Sequence, residues 1–136
     1  MPVSTIGDDA EVQRDVTEET VREYADLTGD ENPLHTDPEY ADEGFFGGIV
    51  AHGMLGAGLI SAALASLPGD IVYLSQDLAF EAPVRPGDTV RASVEVVEEL
   101  GDDRVRAETV AEVVGGDDAT TVIDGEAVVL SVPHEA

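Results

Sequence analysis

The chain has 136 residues, 43% of them hydrophobic, and no cysteine, so it can bury a core and is expected to form one domain over residues 1–136. Disulfides, thiolate chemistry and Cys-based zinc sites are excluded. Thirty acidic residues stand against six arginines and no lysine, and the net charge of −24 excludes nucleic acid and anionic membranes as partners, since both require a cationic footprint.

The acidic residues are spread through the predicted elements instead of forming a tail. Self-repulsion of this size suits molar salt, where the screening length falls to about 3 Å, so a halophilic source with a salty cytoplasm is expected. The first fifteen residues, MPVSTIGDDAEVQRD, have neither a basic start nor an apolar core, and a cytoplasmic location is the expectation.

In chain order, Thr17 to Leu27 reads as a helix. Thr17 suits the N-cap, Glu18 and Glu19 favour the positive end of the dipole, and Val21 and Tyr24 share a face with Leu27 or Ala25. Gly29 suits the C-terminal cap, and Pro33 forbids continuation. Thr36, with Pro38 and Glu39 following, predicts the start of a second short helix. Gly44, Gly47 and Gly48 loosen the chain before an apolar helix over Ile49–Leu67, which Pro68-Gly69 ends.

That apolar run is long enough to raise a spanning segment. It carries His52, three glycines and two serines and has no basic anchors, so a helix buried on nearly every side by its own protein is expected. Beyond Pro68 the pattern is strand-like. Val90, Ala92, Val94 and Val96 alternate with polar residues, and Val105, Ala107, Ala111 and Val113 share a face. Short turns between these segments predict an antiparallel meander, whose apolar face must wrap around the apolar helix.

The polar stretch TGDENPLH places Asp30 and His35 on a loop stiffened by Pro33, because Asn32 before it is pushed toward an extended conformation. A carboxylate and an imidazole facing one cleft can take a proton from water and return it. The alternative is structural: Asp30 as a turn residue and His35 as a cap of the next helix. His52-Gly53 opens the apolar helix, where free N–H groups at the positive end of a dipole could hold a carbonyl oxygen gaining charge. Asp30, His35 and His52 could also supply three metal ligands, yet no spacing resembling HExxH supports a metal, and none is expected.

The stretches GDENPLHTDPEYA, GGIVAHGMLGAGLISA and LSQDLAFEAPVRPGDTVRASVEV, in this order, resemble the MaoC-like (R)-specific enoyl-CoA hydratases. The likeness runs from about Val16 to Val132, and the motif D-x-N-P-x-H stands complete as Asp30, Asn32, Pro33 and His35. The resemblance implies an α+β hot-dog fold, an antiparallel sheet wrapped around a long central helix, and a homodimer whose sheets join edge to edge. It implies Asp30 and His35 as the catalytic pair and the Gly53 N–H as the holder of the thioester oxygen. Asn32, His52, Gly53 and Ser61 form the expected substrate-binding set.

On this resemblance an acyl-CoA or acyl-carrier thioester is the substrate and no cofactor is needed. Water would add at C3 and a proton at C2, in fatty-acid or polyhydroxyalkanoate metabolism. Two other functions share the fold. Many hot-dog thioesterases carry an acidic residue on the central helix, but residues Gly53 to Pro68 contain none. A non-catalytic acyl-CoA-binding dimer would leave the Asp30/His35 pair idle beside an apolar pocket, at a cost in stability.

Overall fold

The structure is a computed structural model that describes residues 1–134. The last two positions of the expected domain lie outside the described residues. Ten elements follow in order: β1 (Asp9–Val16), α1 (Glu18–Thr28), α2 (Pro33–Thr36), α3 (Pro38–Asp42), α4 (Gly53–Ala65), β2 (Asp70–Gln76), β3 (Ala79–Phe80), β4 (Asp88–Gly101), β5 (Arg104–Gly115) and β6 (Asp118–Val132). All strand pairs are antiparallel, in the order β1-β4-β5-β6-β2, and β3 adds to β6.

Alternation puts Val90, Ala92, Val94 and Val96 of β4 on the inner face, with Val105, Ala107 and Ala111 of β5 and Val122, Ala127 and Val129 of β6. This face curls around α4, whose Ile60, Ala63 and Leu64 are fully buried against it. Bulges at Val96/Glu98 and Ala111/Glu112 bend the long strands and strengthen their twist. The result is the antiparallel sheet wrapped around an apolar helix that the patterning predicts, and it is the α+β hot-dog arrangement that the resemblance implies.

The meander holds for β4, β5 and β6 but not for β2. After Gln76 the chain bulges at Asp77 and continues as β3 along the same edge of β6, and the Asp77 carbonyl presses so closely on Gly125 that a side chain there would collide with it. The RPGD turn therefore does not close a hairpin. Instead Val84 accepts from the Ala51 N–H at 2.7 Å, carrying the segment to the start of α4. The strand β1, absent from the sequence reading, pairs along β4 and supplies an edge.

Helix α1 forms as expected. Thr17 accepts from the Thr20 N–H at 3.1 Å, and Gly29 closes the helix in a left-handed conformation, φ 78°. Ala25, not Leu27, completes the buried face; Leu27 is 84% exposed. Pro33 does not stop helix formation but starts the single turn α2. Its missing N–H costs nothing at the first helical position, and the Asn32 side chain caps the turn by accepting from the Leu34 N–H. Asp37, one residue after the expected Thr36, caps α3 by accepting from the N–H groups of Glu39 and Tyr40.

Helix α4 is shorter than the apolar run, and residues 49–52 are not helical. Val50 and Ala51 spend their N–H groups on Leu34 and Val84, which holds the segment extended. At 13 residues, α4 is about 20 Å long, and no helix among the described residues is long and apolar enough to cross a membrane. Nor is it buried on nearly every side. Met54, Gly58, Ala62 and Ala65 face outward, because one sheet can cover only one side of a helix.

Candidate active site

The site forms where the loop after α1 meets the start of α4. Gly29 turns the chain out of α1, Asn32 and Pro33 start α2 immediately, and this single turn carries His35 back toward residues 50–52. Two cross-ties fix the approach. The His35 Nδ1–H donates to the Val50 carbonyl at 2.7 Å, and the Val50 N–H donates to the Leu34 carbonyl at 3.2 Å. A carbonyl can only accept, so Nδ1 carries the His35 proton and Nε2 keeps a lone pair.

Asp30 is exposed at the same opening. Among the described residues its carboxylate receives one long contact, from the Asn32 N–H at 3.4 Å, which leaves most of its accepting capacity open. One carboxylate oxygen of Asp30 and a ring nitrogen from each of His35 and His52 lie within 4.8 Å of one another. Acceptors at that separation suit a single water donating to both at about 2.8 Å. They suit a metal poorly. The rings of His35 and His52 are stacked, 3.9 Å between centroids and 29° apart, so their in-plane lone pairs cannot converge at the roughly 2.1 Å of a metal–imidazole bond.

His52 precedes α4 and gives it no side-chain cap, so the first-turn N–H of Gly53 is open to an acceptor at the positive end of the dipole. Two hollows meet at this point. An apolar cavity of about 580 Å³ is lined by Leu34, Phe46, Val84, Val90, Gly56 and Ile123. A smaller one of about 300 Å³ is lined by Tyr24, Thr28, Asp30 and Met54. His35, His52, Gly53 and Phe80 border both and form the partition between them.

Glycines shape the apolar cavity. A Cβ on Gly53 would lie 2.8 Å from Phe80 Cε1, and one on Gly56 would lie 2.8 Å from Ile123 Cδ1. Phe80 and Ile123 thus rest directly on the helix backbone.

The structure brings Asp30, His35, His52 and Gly53 together. It leaves two members of the expected binding set elsewhere. The Asn32 side-chain oxygen is occupied as the cap of α2. Ser61 is half-buried about 12 Å further along α4 and borders neither hollow. Sequence reasoning did not single out Tyr24, Phe80 or Ile123, because Tyr24 reads as the apolar face of α1 and the other two as ordinary strand residues.

With this geometry in place, comparison with known proteins identifies the family. The model of the MaoC-like domain matches residues 4–123, and the chain belongs to that family. Within it, the chain is 44% identical over 120 residues to a 3-hydroxybutyryl-CoA dehydratase of Methylorubrum extorquens, covering 87% of this chain and 74% of the relative. It is 40% identical to an (R)-specific enoyl-CoA hydratase of Rhodospirillum rubrum, with 91% and 85% covered. The solved R-hydratase PhaJ1 of Pseudomonas aeruginosa superposes with a TM-score of 0.85 at 35% identity, covering 98% of this chain and 88% of that one.

Proposed function

We propose that the protein is an (R)-specific enoyl-CoA hydratase, a hydro-lyase that adds water across a trans-2-enoyl thioester and dehydrates the 3-hydroxyacyl thioester in reverse. One observation carries the reading: a carboxylate oxygen of Asp30 lies within 4.8 Å of a ring nitrogen of His35, and His35 and the open Gly53 N–H stand on the partition between the hollow that holds Asp30 and the apolar cavity. The names and close similarity of the relatives support it.

In this scheme the acyl chain enters the cavity and the thioester carbonyl accepts from the Gly53 N–H. The dipole of α4 favours the negative charge that the oxygen gains as C3 is attacked. Asp30 and His35 Nε2 hold the water between them. As its oxygen bonds to C3, one proton passes to this pair, and a proton is delivered from the same side to C2. No cofactor enters, and His52 and Gly53 border the bound thioester.

The test is loss of enoyl absorbance with crotonyl-CoA and longer trans-2-enoyl-CoAs in high salt, with the product's chirality read out. Turnover to the (R)-3-hydroxyacyl-CoA is expected. No turnover on any chain length would return the protein to the class of non-catalytic acyl-CoA binders.

The working form is a homodimer. Met54 is 55% exposed, and Val72, Tyr73 and Leu74 form an exposed apolar stretch on β2, an edge strand. A second copy would cover both the edge and the outward face of α4. Its intracellular thioester substrate puts the enzyme in the cytoplasm, and the acidic surface fits a salty one.

A further inference from the structure

The scheme leaves one buried polar side chain of the site without a chemical task. His52 is 4% exposed. Its Nε2–H donates to the main-chain carbonyl of Asp30 at 2.9 Å, so Nε2 carries the proton and Nδ1 keeps the lone pair. Nδ1 is buried and has no hydrogen-bond partner among the described residues. Both nitrogens are therefore withdrawn from a substrate in the cavity.

The ring nevertheless touches every part of the site. It bonds to Asp30, stacks on His35 at 3.9 Å, and is joined to Gly53 by the peptide bond. Tyr24 of α1 packs against it at 4.6 Å between centroids. The loop carrying Asp30 needs such a hold. Its other hydrogen bonds are local and solvent-exposed, such as Asp30 N–H to Thr28 Oγ1 at 3.2 Å and Glu31 N–H to the Gly29 carbonyl at 3.1 Å. Among the described residues, the bond from His52 is the one that ties residues 29–32 to an element outside α1 and α2.

An unpartnered buried nitrogen is costly, and an apolar ring of similar size would fill the space without that cost. The histidine is explained if its other nitrogen does something that the apolar ring cannot. We propose that His52 is a positioning residue: its Nε2–H on the Asp30 carbonyl and its stacking on His35 hold the water-handling pair at a fixed distance from the Gly53 N–H. The inference rests on the hydratase reading. Water must reach C3 while the carbonyl stays on Gly53, so a shift of the Asp30 loop by about 1 Å can cost about 10²-fold in rate.

Two variants separate tether from filler. His52→Phe keeps the stacked ring and removes the donor, whereas His52→Gln places an amide N–H near the position of Nε2 and removes the ring. With crotonyl-CoA, His52→Phe should lose about 10²-fold in kcat with KM little changed, and His52→Gln should recover to within about tenfold of wild type. Independently of activity, ¹⁵N NMR of histidine-labelled wild type should show His52 as the Nε2–H tautomer. A wild type inactive on every chain length removes the hydratase reading and this inference with it. An active wild type overturns the inference alone if a folded His52→Phe keeps full kcat, if a folded His52→Gln is as slow as His52→Phe, or if His52 is the Nδ1–H tautomer.

Discussion

Asp30 and His35 could each have been structural, and their hydrogen bonds now weigh the two roles. Among the described residues His35 caps no helix: its Nδ1–H goes to the Val50 carbonyl, which fixes the ring, and Nε2 has no partner among them. The Asp30 carboxylate accepts, among the described residues, only the long contact from the Asn32 N–H. Asp30→Asn and His35→Gln should each lower hydration by about 10²–10⁴-fold. Asp30→Asn should leave stability within about 0.5 kcal/mol, measured by melts on the same samples. Because both act on one water, the double variant should be little slower than the slower single one. Asn32 behaves oppositely. It caps α2, so Asn32→Ala should cost about 1 kcal/mol in denaturant titrations, and any rate loss should reflect a loosened His35 instead of a lost substrate contact.

At the scale of elements, the start of α4 is a junction where helix, extended segment and strand β3 meet. Gly53 is required there less for its backbone freedom than for the ring above it. In Gly53→Ala the new Cβ would lie 2.8 Å from Phe80 Cε1, so Phe80 must swing out of the partition it forms with His35 and His52. Alanine also favours a helix over glycine by up to about 1 kcal/mol. Gly53→Ala should therefore melt no lower than wild type while its turnover falls. Adding Phe80→Ala removes the collision, so in that background Gly53→Ala should have little further effect on rate. Rates and melting temperatures for the four proteins check the pair, and an equal loss in both backgrounds would show that the ring is not the cause.

Over the whole molecule, charge and exposed apolar surface make the strongest demands. Asp9, Glu95, Glu108 and Glu126 stand directly opposite one another across β1, β4, β5 and β6, all exposed. Like charges in that register repel, and the repulsion is screened by salt. Melting temperature should climb steadily as potassium chloride rises from millimolar to molar. Glu108→Gln, in the middle of the row, should melt higher than wild type at low salt and gain less from added salt. A melting temperature indifferent to salt would sink the idea of salt adaptation. For assembly, light scattering in high salt should give twice the 14.2 kDa of one chain. Leu74→Lys, on the exposed face of β2, should shift the population toward monomer.

Much of this was legible before any fold was known. Period-two alternation fixed the inner faces of β4 and β5, Thr17 and Gly29 bounded α1, and the completeness of the Asp30–His35 motif pointed to the chemistry. These signals are local, so they survive in one dimension. The alternating apolar residues of β1, Ala10 and Val12, were equally present but obscured by acidic neighbours. Tertiary structure decided the rest, because each remaining question concerned a partner distant in sequence. The Val84 carbonyl keeps Ala51 out of α4, Gly125 makes room for the bulge at Asp77 between β2 and β3, and one sheet covers only part of a helix that hydropathy reads as buried throughout. The tie from His52 to Asp30 spans 22 positions, and only folding could show that a histidine outside the motif is bonded to the motif's acid.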